Sequence, residues 1–211
     1  MKNILVIGLL LFSSSVLANS KHANSISSKI HNRVIDKHIV KQQRSTLSFD
    51  KSQSTKYDHL FIKWGNKYSP NVNSKLMKAV CTIESNLNPN AVSPENALGL
   101  CQITKPTWYG IIKNLKHIPK NGYFNPSHSI EASSYYLTTF SEYFNDLNGR
   151  NKIQMMLMSY NAGYGNVLKA KQRCKSNSYD KIKSCLKSIT GQNSKQTINY
   201  VSDVLAYYDA M

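Results

Sequence analysis

Asn73-Ser74-Lys75-Leu76-Met77-Lys78-Ala79-Val80-Cys81-Thr82-Ile83-Glu84-Ser85-Asn86-Leu87-Asn88-Pro89 is the stretch on which the reading of this chain turns. Leu76, Met77, Val80, Cys81 and Ile83 recur at helical spacing, and Asn73 or Ser74 caps the start. Leu87-Asn88-Pro89 closes the helix, because the residue ahead of a proline is pushed out of the α region. Glu84 breaks the pattern. Its i−3, i−4 and i−7 neighbours are Cys81, Val80 and Met77, so its carboxylate lies on the apolar stripe. No Lys or Arg stands at i±3 or i±4 to pair with it. Burial without a cation disfavours the charged form and raises the pKa. An acid that keeps its proton near neutral pH suits proton-donating chemistry such as glycosidic cleavage. The alternative is a structural Glu held by backbone or by a distant cation, and the helix alone does not choose between them.

Outward from this helix the sequence stays helical. Thr104-Lys105-Pro106 reads as a cap with a proline near the first helical position, opening a helix through about Leu115. Ile130 to about Asn145 sets Leu137, Phe140, Phe144 and Leu147 on one stripe. Ile153 to Ser159 is nearly continuous in apolar residues, as in a helix buried on most sides. Asn161 to Gly165 is expected to break it, and further helices follow at 166–171, 179–188 and 194–208. Strand-like alternation is scarce and there is no repeat, so the fold class is mainly α.

Toward the N-terminus, Met1 and Lys2 precede an apolar run from Ile4 to Phe12. Small residues follow, ending Val16-Leu17-Ala18. This pattern predicts a signal peptide over 1–18 and an exported protein, periplasmic or secreted after cleavage. The run is shorter than the ~20 apolar residues of a membrane span, and no later segment is long and apolar enough, so no stable membrane insertion is expected. Residues 19–55 are rich in Ser, Asn, Lys and His, and read as a basic polar leader or linker. One catalytic-sized domain, 56–211, remains.

Basic residues outnumber acidic ones 27 to 11, a net charge of +16. Such charge favours anionic partners. Export argues against nucleic acid, and no RNA-binding or zinc-finger pattern is present. The four cysteines, Cys81, Cys101, Cys174 and Cys185, form no Cys-x-x-Cys pair and no grouping with His at zinc spacing, so neither metal nor cofactor is expected. An even count in an exported chain suggests disulfides in one of three connectivities. Proximity in sequence selects Cys81–Cys101 and Cys174–Cys185, although Cys81 and Cys101 also read as small buried thiols.

Four segments carry a resemblance. The run from Glu84 to Ser93 is followed by Ala97-Leu98-Gly99-Leu100-Cys101-Gln102-Ile103-Thr104-Lys105-Pro106-Thr107-Trp108. Then come Ser159-Tyr160-Asn161-Ala162-Gly163 and Thr197-Ile198-Asn199-Tyr200-Val201. In order and spacing these resemble the motifs of the soluble lytic transglycosylases, whose catalytic domain is related to goose-type lysozyme. The resemblance runs from about Tyr57 to Tyr208 and implies a lysozyme-like single catalytic domain acting on peptidoglycan glycan strands. It casts Glu84 as the catalytic acid and base, and Ser85 as the hydroxyl beside it that orients it. Gln102 falls in the segment lining the sugar groove, Tyr160 and Asn161 in the motif facing the carboxyl, and Tyr200 in the helix closing the pocket. Tyr200 also shares a stripe with Val204 and Tyr207, as a core residue does.

Departures from the family pattern are visible. Cys101 stands where Met is usual, which favours its pairing with Cys81. Gln196 and Ile198 stand where Glu and Arg are common. Ordinary retaining or inverting glycosidases use two carboxyl groups, whereas here the other acids after Thr55 sit in no matching motif. The resemblance implies a route needing only one. The substrate's acetamido group assists departure, and the muramic 6-hydroxyl then attacks to give a 1,6-anhydro end. A water-using muramidase on the same fold and a non-catalytic wall-binding protein are the alternatives. The small architecture resembles transglycosylases accessory to an envelope-spanning secretion, conjugation or pilus apparatus.

Overall fold

Phe61 and Trp64, one helical turn apart, are both buried, and they seat the first helix of the computed structural model, which describes residues 55–68 and 72–211. This helix, α1 (Asp58–Tyr68), precedes the first one the sequence analysis recognises, because its apolar stripe is short and flanked by Lys and His. The expected signal peptide lies outside the described residues, as does the expected leader apart from Thr55.

The helix carrying Glu84 is α2 (Ser74–Ser85). Asn73 caps it by accepting a hydrogen bond from the Leu76 amide at 2.9 Å, which satisfies a donor that has no partner within the helix. The helix ends earlier than the proline implies. Asn86 takes a left-handed conformation (φ 53°) and Leu87 follows it (φ 59°), so the chain reverses three residues before Pro89. Leu87 is buried, and this apolar anchor offsets the cost of a left-handed, non-glycine residue.

The reversal leads into a hairpin of β1 (Ala97–Leu98) and β2 (Ile103–Thr104), antiparallel with Leu98 opposite Ile103. Strands this short carry no alternation that a sequence reading could detect. Gly99 turns the hairpin at φ +72°, and a Cβ there would lie 2.0 Å from the Tyr123 carbonyl oxygen, so only glycine fits. The disulfide Cys81–Cys101 fastens the hairpin to α2.

Beyond the hairpin run α3 (Lys105–Ile112), a 3-10 turn (Gly122–Phe124), α4 (Pro126–Tyr143) and α5 (Gly149–Ala162). Then come α6 (Tyr164–Cys174), α7 (Tyr179–Thr190) and α8 (Asn193–Ala210). The expected break at 161–165 narrows to Gly163 alone (φ 83°), so Tyr160 and Asn161 are helical. Helix α4 crosses the core with Ile130, Leu137 and Phe140 buried. The second disulfide, Cys174–Cys185, staples α6 to α7. The described residues belong to one compact unit, mainly α as expected. Among them no helix is long and apolar enough to cross a membrane.

Candidate active site

A cleft of about 1060 Å³ opens where the end of α2, the hairpin, the end of α5 and the start of α8 meet. Glu84 lines it, one residue before the end of α2. Its stripe neighbours Met77, Val80 and Cys81 are fully buried, as the sequence pattern requires. The carboxyl itself is half-buried and faces the cleft. Removal from water pushes its pKa up to about 8, against a smaller downward pull from the Tyr200 hydroxyl. The partial negative charge at the C-terminal end of α2 acts in the same upward direction. No cation among the described ion pairs reaches it.

Two tyrosines flank the carboxyl. Tyr160, on α5, donates its hydroxyl to the Cys101 carbonyl at 2.8 Å and shares a 3.0 Å hydrogen bond with Ser133. Burial first, and the nearby Glu84 second, hold its phenol far above the ordinary tyrosine range. Tyr200, on α8, is only 7% exposed and its oxygen is buried without a completed hydrogen bond. It stands close enough to Glu84 to lower that carboxyl's pKa, and its own phenol is raised by burial and by Glu84. Tyr200 is thus both core and cleft, with its hydroxyl beside the acid.

The remaining expected residues divide. Gln102 lines the cleft at φ 51°, and its amide nitrogen donates to the Gly99 and Ala91 carbonyls at 2.8 and 3.2 Å. The side chain is pinned and its carbonyl oxygen is the free end. Asn161 lines the cleft and accepts from the Thr197 hydroxyl at 2.8 Å, which joins α5 to α8. Ser85 bridges the end of α2 and the hairpin. Its hydroxyl donates to the Leu100 carbonyl at 2.7 Å and accepts from the Asn88 amide at 3.0 Å, locking the hairpin and the reversal in place. Both expected disulfides are formed, and Cys81–Cys101 lies directly behind the acid.

Several residues escaped the sequence reading. Thr197 sits one turn before Tyr200 within a quoted motif, so its position gave a signal. Ser133 gave none, because a buried Ser on an apolar helix reads as filler. Glu95, Asp203 and Lys195 also line the cleft, so acids outside the motifs do reach the site even though none was placed there by pattern.

Comparison with known proteins is consistent with this geometry. The family model described as Transglycosylase SLT domain matches residues 59–183. Membrane-bound lytic murein transglycosylase C of Haemophilus ducreyi is 26% identical over 195 residues, covering 79% of this chain and 53% of that protein. The protein of the same name from Actinobacillus pleuropneumoniae serotype 5b is 30% identical over 164 residues, covering 72% and 44%. The chain therefore spans about half the length of these curated relatives or less. Among solved structures, the 70 kDa soluble lytic transglycosylase SLT70 of Escherichia coli superposes with a TM-score of 0.58 at 25% identity, over 73% of this chain and 24% of that one. The family match ends before α8, so Tyr200 and Thr197 lie outside it and are placed at the cleft by the fold, where the fourth quoted motif expected Tyr200. With most of its described fold inside the matched region and an acid-bearing cleft at its centre, the chain belongs to the transglycosylase SLT domain family.

Proposed function

We propose that this chain is a peptidoglycan lytic transglycosylase. It cuts the β-1,4 bond from N-acetylmuramic acid to N-acetylglucosamine and leaves a 1,6-anhydro end. The observation that carries this is Glu84, a half-buried acid with a pKa raised to about 8, in a cleft beside two tyrosines. The names of the relatives support the substrate class.

In the first half-reaction Glu84 gives its proton to the glycosidic oxygen as the C1–O bond breaks, with the substrate's acetamido oxygen assisting at C1. In the second, the carboxylate takes the proton of the muramic 6-hydroxyl as that oxygen bonds to C1. Glu84 ends protonated, no water is consumed, and one carboxyl serves both steps. Its anion, formed in between, has the Tyr200 hydroxyl as a neighbouring donor. The pinned Gln102 carbonyl oxygen is suited to accept from a sugar N–H or O–H. Export, supported by the pattern of residues 1–18, brings the enzyme to its substrate. A role beside a secretion, conjugation or pilus apparatus belongs to the same reading and rests on analogy with accessory transglycosylases alone.

A second reading has one observation in its favour. Glu95 and Asp203 line the cleft, and a carboxylate across the sugar ring from the acid could activate water. The nature of the product separates the two. The shared part, Glu84 as acid, is tested by digesting purified peptidoglycan. Glu84→Gln keeps the shape but neither donates nor retrieves a proton, so release of soluble fragments should fall at least ~10²-fold. Near-parental release by a folded Glu84→Gln protein contradicts the assignment.

A further inference from the structure

Gln102 keeps its place in the cleft with a backbone that a side chain disfavours. Its φ of 51° is left-handed, a conformation in which the Cβ crowds the following carbonyl. Such a conformation persists where the surroundings over-determine it, and here they do. Leu100 and Cys101, the two residues before it, are fully buried, and their backbone groups are taken by side chains. The Leu100 carbonyl accepts from Ser85 at 2.7 Å, and the Cys101 amide donates to the Ser129 hydroxyl at 3.3 Å. The Cys101 carbonyl accepts from Tyr160 at 2.8 Å. The Tyr160 hydroxyl has one proton, committed to that carbonyl, so in its 3.0 Å bond with Ser133 it is the acceptor.

Ser129 and Ser133 stand one turn apart on α4, and both are buried. Hydroxyls within a helix commonly bond back to the carbonyl four residues earlier, as Thr138 and Thr139 of α4 do. Ser129 and Ser133 reach out of the helix, one to Cys101 directly and one through Tyr160. We propose that these two serines, with Tyr160 as the link, are positioning residues. They hold Cys101 at both its amide and its carbonyl, so that Gln102 keeps its left-handed turn and presents its side-chain carbonyl oxygen to the substrate. This deepens the proposed function and rests on it, since a bound glycan is what Gln102 meets. The Tyr160 hydroxyl then serves the site through Gln102 rather than by touching the sugar.

The test measures kcat and KM on soluble peptidoglycan glycan strands for the wild type, Tyr160→Phe, Gln102→Ala and the variant carrying both changes. Tyr160→Phe keeps the ring and removes only the hydroxyl. It should raise KM roughly 3- to 10-fold, the value of one hydrogen bond, with kcat nearly unchanged. Ser129→Ala and Ser133→Ala should act in the same direction. In the double variant KM should match that of Gln102→Ala alone, because the hydroxyl acts only through Gln102. A hydroxyl with a merely structural role would lower stability and show no such coupling. A Tyr160→Phe KM equal to that of the wild type, or an undiminished effect in the Gln102→Ala background, overturns the inference while leaving the proposed function standing. If Tyr160→Phe does not fold, Ser133→Ala, alone and combined with Gln102→Ala, decides by the same criterion. A wild type that does not cleave the strands sinks the proposed function and this inference with it.

Discussion

At the scale of single residues, the account rests on a conflict inside one helix, an acid placed on an apolar stripe. That conflict was legible from spacing alone. Its direction follows from desolvation, and it has two consequences. Activity that needs the protonated acid should fall as pH rises through about 8, the pKa of Glu84, which a pH–rate profile on peptidoglycan would show. Stability follows the same shift. A carboxyl whose folded pKa lies above its unfolded value favours folding at low pH and loses that advantage as pH rises from about 4.5 toward 8. Glu84→Gln never ionises, so at pH 7 it should be the more stable protein, by about 3 kcal/mol. The gain should vanish near pH 4. Denaturant melts at the two pH values decide this, and an unstabilised variant at pH 7 speaks against the raised pKa. Ser85 was less legible than Glu84, because only the resemblance gave it a role, beside the acid, and its bond from the helix end to the Leu100 carbonyl had no signal in the sequence.

At the scale of elements, α2 through α8 could be read from periodicity, caps and the proline that opens α3. The exceptions have physical reasons. Helix α1 buries only one short face, the strands are two residues long, and Asn86 ends α2 before Pro89 can. Contacts between elements were the least visible in the sequence. Glu131, 1% exposed on α4, accepts from Tyr68 at 2.6 Å and Lys67 at 3.0 Å and meets His117 at 3.0 Å, joining α1 and the segment after α3 to the core. Burial pushes this carboxyl up, but hydrogen bonds from Tyr68, His117 and Lys67 outweigh it and hold the pKa below the ordinary value. This is the reverse of Glu84. The contribution is present above about pH 4.5 and is lost as pH falls through the lowered folded pKa. Glu131→Gln should therefore cost about 1.5–3 kcal/mol at pH 7 and progressively less in acid, as measured by chemical denaturation. The Cys81–Cys101 bridge is the other tie between elements. Replacing both cysteines with Ala should lower stability by roughly 2–4 kcal/mol. Activity should drop further than stability alone explains, since the bridge holds the Gln102 loop against the helix of Glu84. Full activity in the folded double variant would show that the hairpin needs no fastening.

At the scale of the whole molecule, four segments distant in sequence converge on one cleft. Spacing gave their order, but only the resemblance implied that they meet. The acids Glu95 and Asp203 lie outside the motifs, so their arrival at the cleft followed from the fold and not from any pattern. Their presence sharpens the central claim, that a single carboxyl carries both half-reactions and the sugar's own hydroxyl wins over water. Proximity favours that hydroxyl, with effective molarities of well-oriented groups reaching ~10⁵ M or more. The most direct measurement is digestion of peptidoglycan in ¹⁸O-labelled water, followed by mass analysis of the released muropeptides. The account predicts anhydro-muropeptides, lighter by one water than hydrolytic products and free of label at the cleaved sugar. Predominantly reducing ends carrying ¹⁸O would contradict it.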